Sequence, residues 1–230
     1  MLVRYIVSEH FEKLMKDQRF EEIAVVGGTE NEPELAKLPS GMSYKVTYYG
    51  IEKNPEQTKY LDLNLDNEIN ETFDLVLCSQ VFEHLYDLNN ALTNLIKMCS
   101  KETILWLNFP TSNRAHGSPE YYCAGYTSEA LFKLLKSKVE FETMAMENIG
   151  TKRNYFFTHA LRIWPSEKEL QNPILNYEFG RYPYSTHRKL LTYFKQLPLR
   201  IYSLFLSNKI SNNVEYATES ILVIRNIKEK

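Results

Sequence analysis

The sequence is poor in cysteine, lacks a long apolar run and shows no excess of either charge. Its three cysteines, Cys78, Cys99 and Cys123, are odd in number and have no CxxC spacing. This usage argues against a disulfide framework and favours a reduced cytoplasmic protein with structural thiols. No run approaches the roughly 18 apolar residues of a membrane-spanning helix, and the opening MLVRYIV is too short for a signal-peptide core. We therefore expect a cytoplasmic location without stable membrane insertion.

The balance of charges and the absence of two sequence patterns exclude further classes of protein. Lys and Arg number 27 against 29 Asp and Glu, and the isoelectric point is near 6.2. A nucleic-acid-binding domain normally carries a basic footprint, so we expect no nucleic-acid partner. The five histidines show no HxxxH or HxH spacing, which predicts no metal site. The G-x-S-x-G pattern of serine hydrolases is also absent.

Length and composition predict one domain over residues 1–230. The chain has 230 residues and 43% hydrophobic content, enough for a sizeable core. Residues 165–215 interrupt the pattern of strands with prolines, clustered tyrosines and one helical apolar stripe. We expect this insertion to form a lid, a homodimer surface, a membrane-surface helix or an ordinary packed segment.

The most informative stretch is FDLVLCSQVFEHLYD, residues 73–87. A continuous apolar run, residues 75–78, ends abruptly in Ser79 and Gln80, which is typical of a strand buried on both faces of a parallel sheet. An amphipathic helix should follow, with Asp87 as its N-cap. Ligands of open α/β sheets bind at the carboxyl ends of such strands. These polar residues are therefore predicted to face a ligand.

The rest of the chain predicts the same alternation of strands and helices. We predict a helix over 4–18, strands at 23–26, within 45–55 but ending before Glu52, and at 103–108, a helix capped by Thr127, and antiparallel strands from 139 and at 218–227. The pair Gly27 and Gly28 follows the first strand, where glycine lets the backbone approach a ligand. Glu52 follows the second strand, where an acid can accept both hydroxyls of a ribose. A plain turn and a solvated glutamate are the structural alternatives.

Residues 73–87 resemble the fourth-strand motif of class I S-adenosylmethionine-dependent methyltransferases. In that family a strand beginning Phe-Asp ends near a Glu-His pair and an Asp. The resemblance implies a Rossmann-like fold: an α/β domain with a mostly parallel seven-stranded sheet in the order 3-2-1-4-5-7-6, helices on both faces and an insertion before the last strand. The chain departs from the family's acidic-x-G-x-G-x-G pattern, because Val25, Thr29 and Asn31 replace the acid and the later glycines.

The resemblance also implies S-adenosylmethionine as cofactor and a set of residues that hold it. The glycine loop would be formed by Gly27, Gly28 and Thr29, and the ribose would bind Glu52. The adenine would contact Asp62 and Leu63, and the methionine part would contact Ser79 and Gln80. For Asp62, an ordinary loop acid is the alternative.

The stretch PEYYCAGYT, residues 119–127, looks like a longer version of a family segment that faces the acceptor. This implies that Tyr121, Tyr122 and Tyr126 bind substrate, although a packed aromatic loop would have the same composition. Histidine is the natural base near neutral pH. His116 and His84 are the candidates, and a structural role for His84 remains open.

Two functions are consistent with these residues, and a third is disfavoured. The first is O-methylation of a small polar acceptor, and the resemblance of residues 119–127 to stretches in glycan-modifying methyltransferases implies a sugar or sugar nucleotide of surface polysaccharide biosynthesis, with a quinone or phenol as the alternative acceptor. The second is a catalytically silent methyltransferase-fold module that binds a partner through residues 165–215. An NAD(P)-dependent dehydrogenase is disfavoured, since the glycine loop fits its pattern poorly.

Overall fold

The computed structural model describes residues 2–51, 58–112, 121–150 and 217–229. Its elements alternate as predicted. They are α1 (Leu2–Met15), β1 (Glu22–Val26), β2 (Lys45–Gly50), β3 (Thr58–Tyr60), β4 (Phe73–Ser79), α2 (Leu88–Lys97), β5 (Cys99–Pro110), α3 (Ser128–Lys138), β6 (Val139–Ile149) and β7 (Glu219–Glu229), with short 3-10 helices at Leu35–Lys37 and Phe82–His84. The insertion at 165–215, with its predicted lid or dimer role, lies outside the described residues, as do Glu52 and His116.

The strands form one seven-stranded sheet in the order β3-β2-β1-β4-β5-β7-β6. The first five strands pair in parallel, and β7 runs antiparallel to both of its neighbours. This confirms the predicted mostly parallel sheet and its order. The short strand β3 has no distinct signal in the sequence, and β5 is longer than the predicted 103–108.

Two apolar clusters flank the central strand β4. Val76 and Cys78 pack in one cluster with buried residues of α2 and α3, whereas Leu75 and Leu77 pack in the other with α1. Successive side chains of a strand point to opposite faces of the sheet. The alternation explains the unbroken apolar run, because neither face of β4 meets water. It also fixes the direction of Ser79, which shares the face of Leu75 and Leu77.

Helix α1 is anchored by an aromatic contact under the sheet. The ring of Phe11 lies edge-on to Trp106 of β5, with centroids 5.0 Å apart and planes at 89°. Both side chains are fully buried. Edge-to-face geometry is favourable for aromatic pairs beyond the area they bury. The contact holds α1 against the strands that carry the polar edge described below.

The cysteines behave as structural residues. All three are free thiols, and Cys78 is buried. Burial raises the pKa of the Cys78 and Cys99 thiols, so neither is an activated thiolate at neutral pH. Among the described helices, none is both long and apolar enough to cross a membrane.

The predicted N-cap of α2 provides a test of the local structure. The side chain of Asp87 accepts a hydrogen bond from the Asn90 amide at 2.9 Å. Replacing Asp87 by alanine should lower the free energy of unfolding by about 1 kcal/mol, because one amide at the helix start loses its partner. Urea unfolding measures the change. As a control, Asn89→Ala on the exposed side of α2 should lose no stability, and equal losses in both variants would contradict the cap.

Candidate functional site

The carboxyl ends of β1, β2 and β4 meet at one edge of the sheet. Val26 pairs with Tyr49 of β2 on one side and with Cys78 of β4 on the other, and the Gly27 amide donates to the Tyr49 carbonyl at 2.7 Å. Strand order reverses between β1 and β4. Open α/β sheets bind ligands in the crevice at such a switch point. Gly27 and Ser79 are therefore brought together at the position where a ligand is expected.

Gly27 is required by its surroundings. Its φ is +73°, and a Cβ built on it would lie 2.4 Å from Cγ2 of Val81, in the turn after β4. No side chain fits there without displacing the Val81 side chain or one of the two turns. The next residue is less constrained, because a Cβ on Gly28 would meet only the flexible end of Glu32. Thr29 closes the turn, with its carbonyl accepting from the Glu32 amide at 3.0 Å.

Ser79 contacts a residue that the sequence analysis missed. The Ser79 hydroxyl donates to Oε1 of Glu34 at 3.0 Å. Glu34 is only 2% exposed, and its second oxygen, Oε2, is buried without a hydrogen-bond partner. In the sequence Glu34 lies between Pro33 and Leu35 in a polar segment. Such a segment indicates a solvated loop. Nothing in its spacing signals burial, so only the fold reveals it.

Gln80 links three strands at the same edge. Its backbone has φ +57°, an uncommon conformation for a non-glycine residue that costs about 1–3 kcal/mol and is concentrated at functional sites. The side-chain amide donates to Asn108 of β5 at 3.0 Å and to Glu219 of β7 at 2.7 Å. Those bonds orient Gln80 by fixing its amide group. Its predicted contact with the methionine part of the cofactor remains a prediction.

Asp62 and Leu63 follow β3 at this edge. Oδ1 of Asp62 accepts from the backbone amide of Asn64 at 2.9 Å and from its side-chain amide at 3.1 Å. The side chain of Leu63 is buried in the core. Oδ1 of Asn64 in turn accepts from the amides of Tyr86 and Asp87. This turn is thus fixed beside the segment that follows β4, and its predicted adenine contacts remain predictions.

The segment at 121–126 packs against the turn after β4. The amides of Tyr122 and Cys123 donate to the Glu83 carbonyl at 2.9 and 3.3 Å. His84 lies at the end of the 3-10 helix Phe82–His84, with its ring centroid 6.3 Å from that of Tyr121. Nε2 of His84 is 4.0 Å from Oε1 of Glu83, whose side chain is buried. A histidine, a buried carboxyl group and a phenol are therefore adjacent.

An exposed aromatic pair borders this group. Tyr122 lies edge-on to Tyr86, with centroids 5.4 Å apart, and the two side chains are 52% and 59% exposed. Sequence reasoning selected Tyr122 but missed Tyr86. Tyr126 is half-buried at the far end of the segment, where its amide donates to the Pro110 carbonyl at 2.8 Å. The structure thus brings Tyr121 to His84 and Tyr122 to Glu83 and Tyr86, and places Tyr126 beside the end of β5.

Burial sets the chemistry of the two enclosed phenols. The pKa of Tyr121 is raised by burial first and then by the carboxyl of Glu83 and by Cys123. The pKa of Tyr126 is raised by burial, by a hydrogen bond with Cys123 and by Glu83. Both phenols stay protonated at neutral pH and can donate hydrogen bonds. Within the described ranges no three potential ligands group around a metal position.

Comparison with known proteins gives structural but not sequence relatives. No protein-family model and no curated protein sequence matches the chain. Coclaurine N-methyltransferase bound to N-methylheliamine and S-adenosylhomocysteine is similar in structure, with TM-score 0.54 and 13% identity, over 96% of this chain and 70% of that chain. The (4+2)-cyclase SpnF gives TM-score 0.52 and 13% identity, over 95% of this chain and 80% of that chain.

A third similar structure is phosphoethanolamine N-methyltransferase 2 of Haemonchus contortus in complex with S-adenosyl-L-methionine. It gives TM-score 0.52 and 11% identity over 97% of this chain, which spans 52% of that protein's length. Structural similarity at such low sequence identity establishes the fold only. It leaves the reaction open, since one of the three proteins is described as a cyclase. The strand order and these likenesses together show that the chain has the class I S-adenosylmethionine-dependent methyltransferase fold.

Proposed function

We propose that the chain is an S-adenosylmethionine-dependent methyltransferase whose cofactor binds at the edge formed by β1, β2 and β4. The observation that carries the proposal is the close approach of Gly27 to Val81 beside Ser79, at the switch point of the sheet. Two of the structural relatives are described in complex with the cofactor or its product. Their fold and the position of this glycine turn support the same ligand here.

The residues at the edge fit the chemistry of this cofactor. S-Adenosylmethionine carries a sulfonium and an ammonium, both positive. Glu34 contributes a buried carboxyl oxygen without a hydrogen-bond partner, next to Ser79, and the backbone of Gly27 is exposed at the turn. Buried polar groups are normally hydrogen-bonded in native proteins. A cationic ligand would satisfy this oxygen.

The chemistry needs mainly positioning and one base. When bound, the cofactor supplies a methyl group already activated on sulfonium, so the protein's task is to orient an acceptor and remove its proton. We propose that His84 takes the proton of an acceptor hydroxyl and that the nearby Glu83 carboxyl stabilises the imidazolium so formed. The phenol of Tyr121, protonated at neutral pH, would orient the acceptor as a donor. His116 remains the alternative base predicted from sequence.

The proposed acceptor is a hydroxyl group of a sugar or sugar nucleotide in surface polysaccharide biosynthesis, which makes the reaction an O-methylation. The exposed pair of Tyr86 and Tyr122 supports this choice, because an aromatic ring with a hydroxyl suits both the apolar faces and the hydroxyls of a sugar. A quinone or phenol would stack on the same pair. The choice between the two classes is an outcome of the acceptor screen below.

A catalytically silent module is the second candidate, and the glycine turn favours it. Val25, Thr29 and Asn31 remove the acid and the later glycines of the family pattern. The structure describes the whole segment between β1 and β2, and the helical structure in this segment is limited to Leu35–Lys37. The glycine turn therefore lacks the dipole of a long helix that could attract an anionic part of a ligand. The loss of the acid and the later glycines, and the lack of a long helix after the turn, would each weaken cofactor binding.

Calorimetric titration with S-adenosylhomocysteine separates the two candidates. We expect one binding site with a dissociation constant well below ~1 mM, and no heat with NAD⁺. No heat with about 1 mM S-adenosylhomocysteine would contradict the proposed cofactor. A chain that binds the cofactor is then screened with methyl-labelled S-adenosylmethionine against free sugars, sugar nucleotides and phenols. Transfer to phenols alone would contradict the sugar acceptor.

A further inference from the structure

We propose that Glu34 is the residue that binds the ammonium group of S-adenosylmethionine. The inference rests on the proposed function and adds a contact that the sequence does not indicate. It concerns a glutamate eight residues beyond β1, in the short connection to β2. In this chain the connection supplies the carboxyl group that the strand itself lacks.

The first step is the burial of Glu34 with one oxygen unsatisfied. The residue is 2% exposed, Oε1 accepts from Ser79, and Oε2 has no hydrogen-bond partner. Leaving a buried carboxyl oxygen without a partner costs free energy that the fold could avoid with an apolar residue. A carboxyl group retained in this position is explained if a ligand completes its hydrogen bonds.

The second step is location. Ser79 is the last residue of β4, and the residue before it, Cys78, pairs with Val26, which precedes Gly27. The hydrogen bond from Ser79 therefore places the Glu34 carboxyl beside the glycine turn. This is the part of the sheet edge at which the cofactor is proposed to bind. For the proposed contact to form, a ligand seated on the turn must reach this buried oxygen.

The third step is the kind of group that would bind. A carboxylate accepts hydrogen bonds and attracts positive charge, and an ammonium supplies three donors and one positive charge. The side chain of Val25, where the family pattern has an acid, is apolar and packs in the core. The carboxyl end of β1 thus brings no acid of its own to this edge. Glu34 approaches the same edge from the following loop.

Three ligands that differ in their amino-acid part test the assignment. S-Adenosylhomocysteine carries ammonium and carboxylate, its decarboxylated analogue carries only the ammonium, and 5′-methylthioadenosine carries neither. Calorimetry is done on the full chain for wild type, Glu34→Gln and Glu30→Gln, an exposed glutamate of the same loop. Circular dichroism and thermal unfolding check that each variant is folded.

We expect Glu34→Gln to weaken both ammonium ligands by about ten- to a hundredfold, the usual effect of losing a hydrogen bond to a charged group. Its affinity for 5′-methylthioadenosine should stay within about twofold of wild type, and Glu30→Gln should match wild type for all three. Equal affinities of Glu34→Gln and wild type for S-adenosylhomocysteine would overturn the role of Glu34 and leave the proposed function standing. An equal loss for all three ligands would show that Glu34 only shapes the turn. Wild type that binds none of them overturns the proposed function itself.

Discussion

Replacing Gly27 by alanine is expected to weaken binding of S-adenosylhomocysteine by up to about a hundredfold and to destabilise the fold. The added Cβ would lie 2.4 Å from Cγ2 of Val81, so the Val81 side chain, the turn after β1 or the turn after β4 must move. Overpacking of this kind costs about 1–3 kcal/mol, and the left-handed backbone adds about 1–2 kcal/mol for any residue other than glycine. Binding requires the native turn, and each 1.4 kcal/mol that opposes it is about tenfold in affinity.

Gly41 provides a matched control. Its φ is +79°, close to that of Gly27, but a Cβ built on it meets no atom within 4 Å. Gly41→Ala therefore carries the backbone strain without the steric clash. We expect it to lose about 1–2 kcal/mol of stability and to bind S-adenosylhomocysteine as wild type does. The difference between the two variants isolates the contact with Val81.

The double variant Gly27→Ala with Val81→Ala tests the cause directly. Removing both methyl groups of Val81 eliminates the contact, so most of the lost affinity should return while the backbone strain remains. Urea unfolding and calorimetry on the single and double variants give the coupling between the two positions. Single and double variants of equal affinity would contradict the steric explanation. Wild-type affinity in Gly27→Ala would remove this turn from the cofactor site.

The sheet was largely predictable because most of its strands have a strong local signal, whereas the short strand β3 has none. The apolar run before Ser79 marks a strand buried on both faces, and the helical spacing after Asp87 marks a crossover. The order of the strands came from the resemblance, since spacing along the chain does not determine which strands pair. Strand β5 shows the limit of local signals. Its start is polar and exposed, and it extends back to Cys99 only because that residue pairs with Phe73.

The candidate site was predictable only where its residues follow strand ends. Gly27, Ser79 and Gln80 were selected for that reason, and the structure places them at one edge. Glu34 and Tyr86 were missed, because a buried glutamate and an exposed tyrosine have no periodicity when they lie in loops. Their environments depend on contacts with distant segments, such as the hydrogen bond between Ser79 and Glu34, 45 positions apart. Such pairs form only in the folded chain, so the spacing of residues along the sequence does not reveal them.

The turn after β4 divides the proposed site into two parts. On one side, Val81 contacts the glycine turn. On the other, the carbonyl of Glu83 holds the segment at 121–126. Val81 and Glu83 are two positions apart, so the proposed cofactor side and the proposed acceptor side are joined by one short 3-10 helix, Phe82–His84. Variants on the two sides should therefore separate cofactor binding from the placement of the acceptor.

Gly125→Ala is the substitution on the acceptor side of the proposed site that corresponds to Gly27→Ala on the cofactor side. Gly125 has φ +145°, and a Cβ there would lie 2.3 Å from the Pro110 carbonyl oxygen and 2.6 Å from the Thr111 carbonyl carbon. Both atoms belong to the backbone, so no side-chain rotation relieves the clash. Displacing this residue also disturbs the adjacent bond from the Tyr126 amide to Pro110. The segment that carries Tyr121 and Tyr122, which are proposed to bind the acceptor, should lose its fixed position.

We expect Gly125→Ala to lower the free energy of unfolding by about 3 kcal/mol, from overpacking and backbone strain, measured by urea unfolding against Gly41→Ala. Its affinity for S-adenosylhomocysteine should stay within about twofold of wild type, because the glycine turn and Ser79 are unchanged, while transfer to an acceptor found in the screen should fall. Unchanged stability would contradict the close approach to Pro110. A loss of tenfold or more in affinity for S-adenosylhomocysteine would place the segment at 121–126 in the cofactor site. Tyr121 and Tyr122 would then be assigned to the cofactor and not to the acceptor.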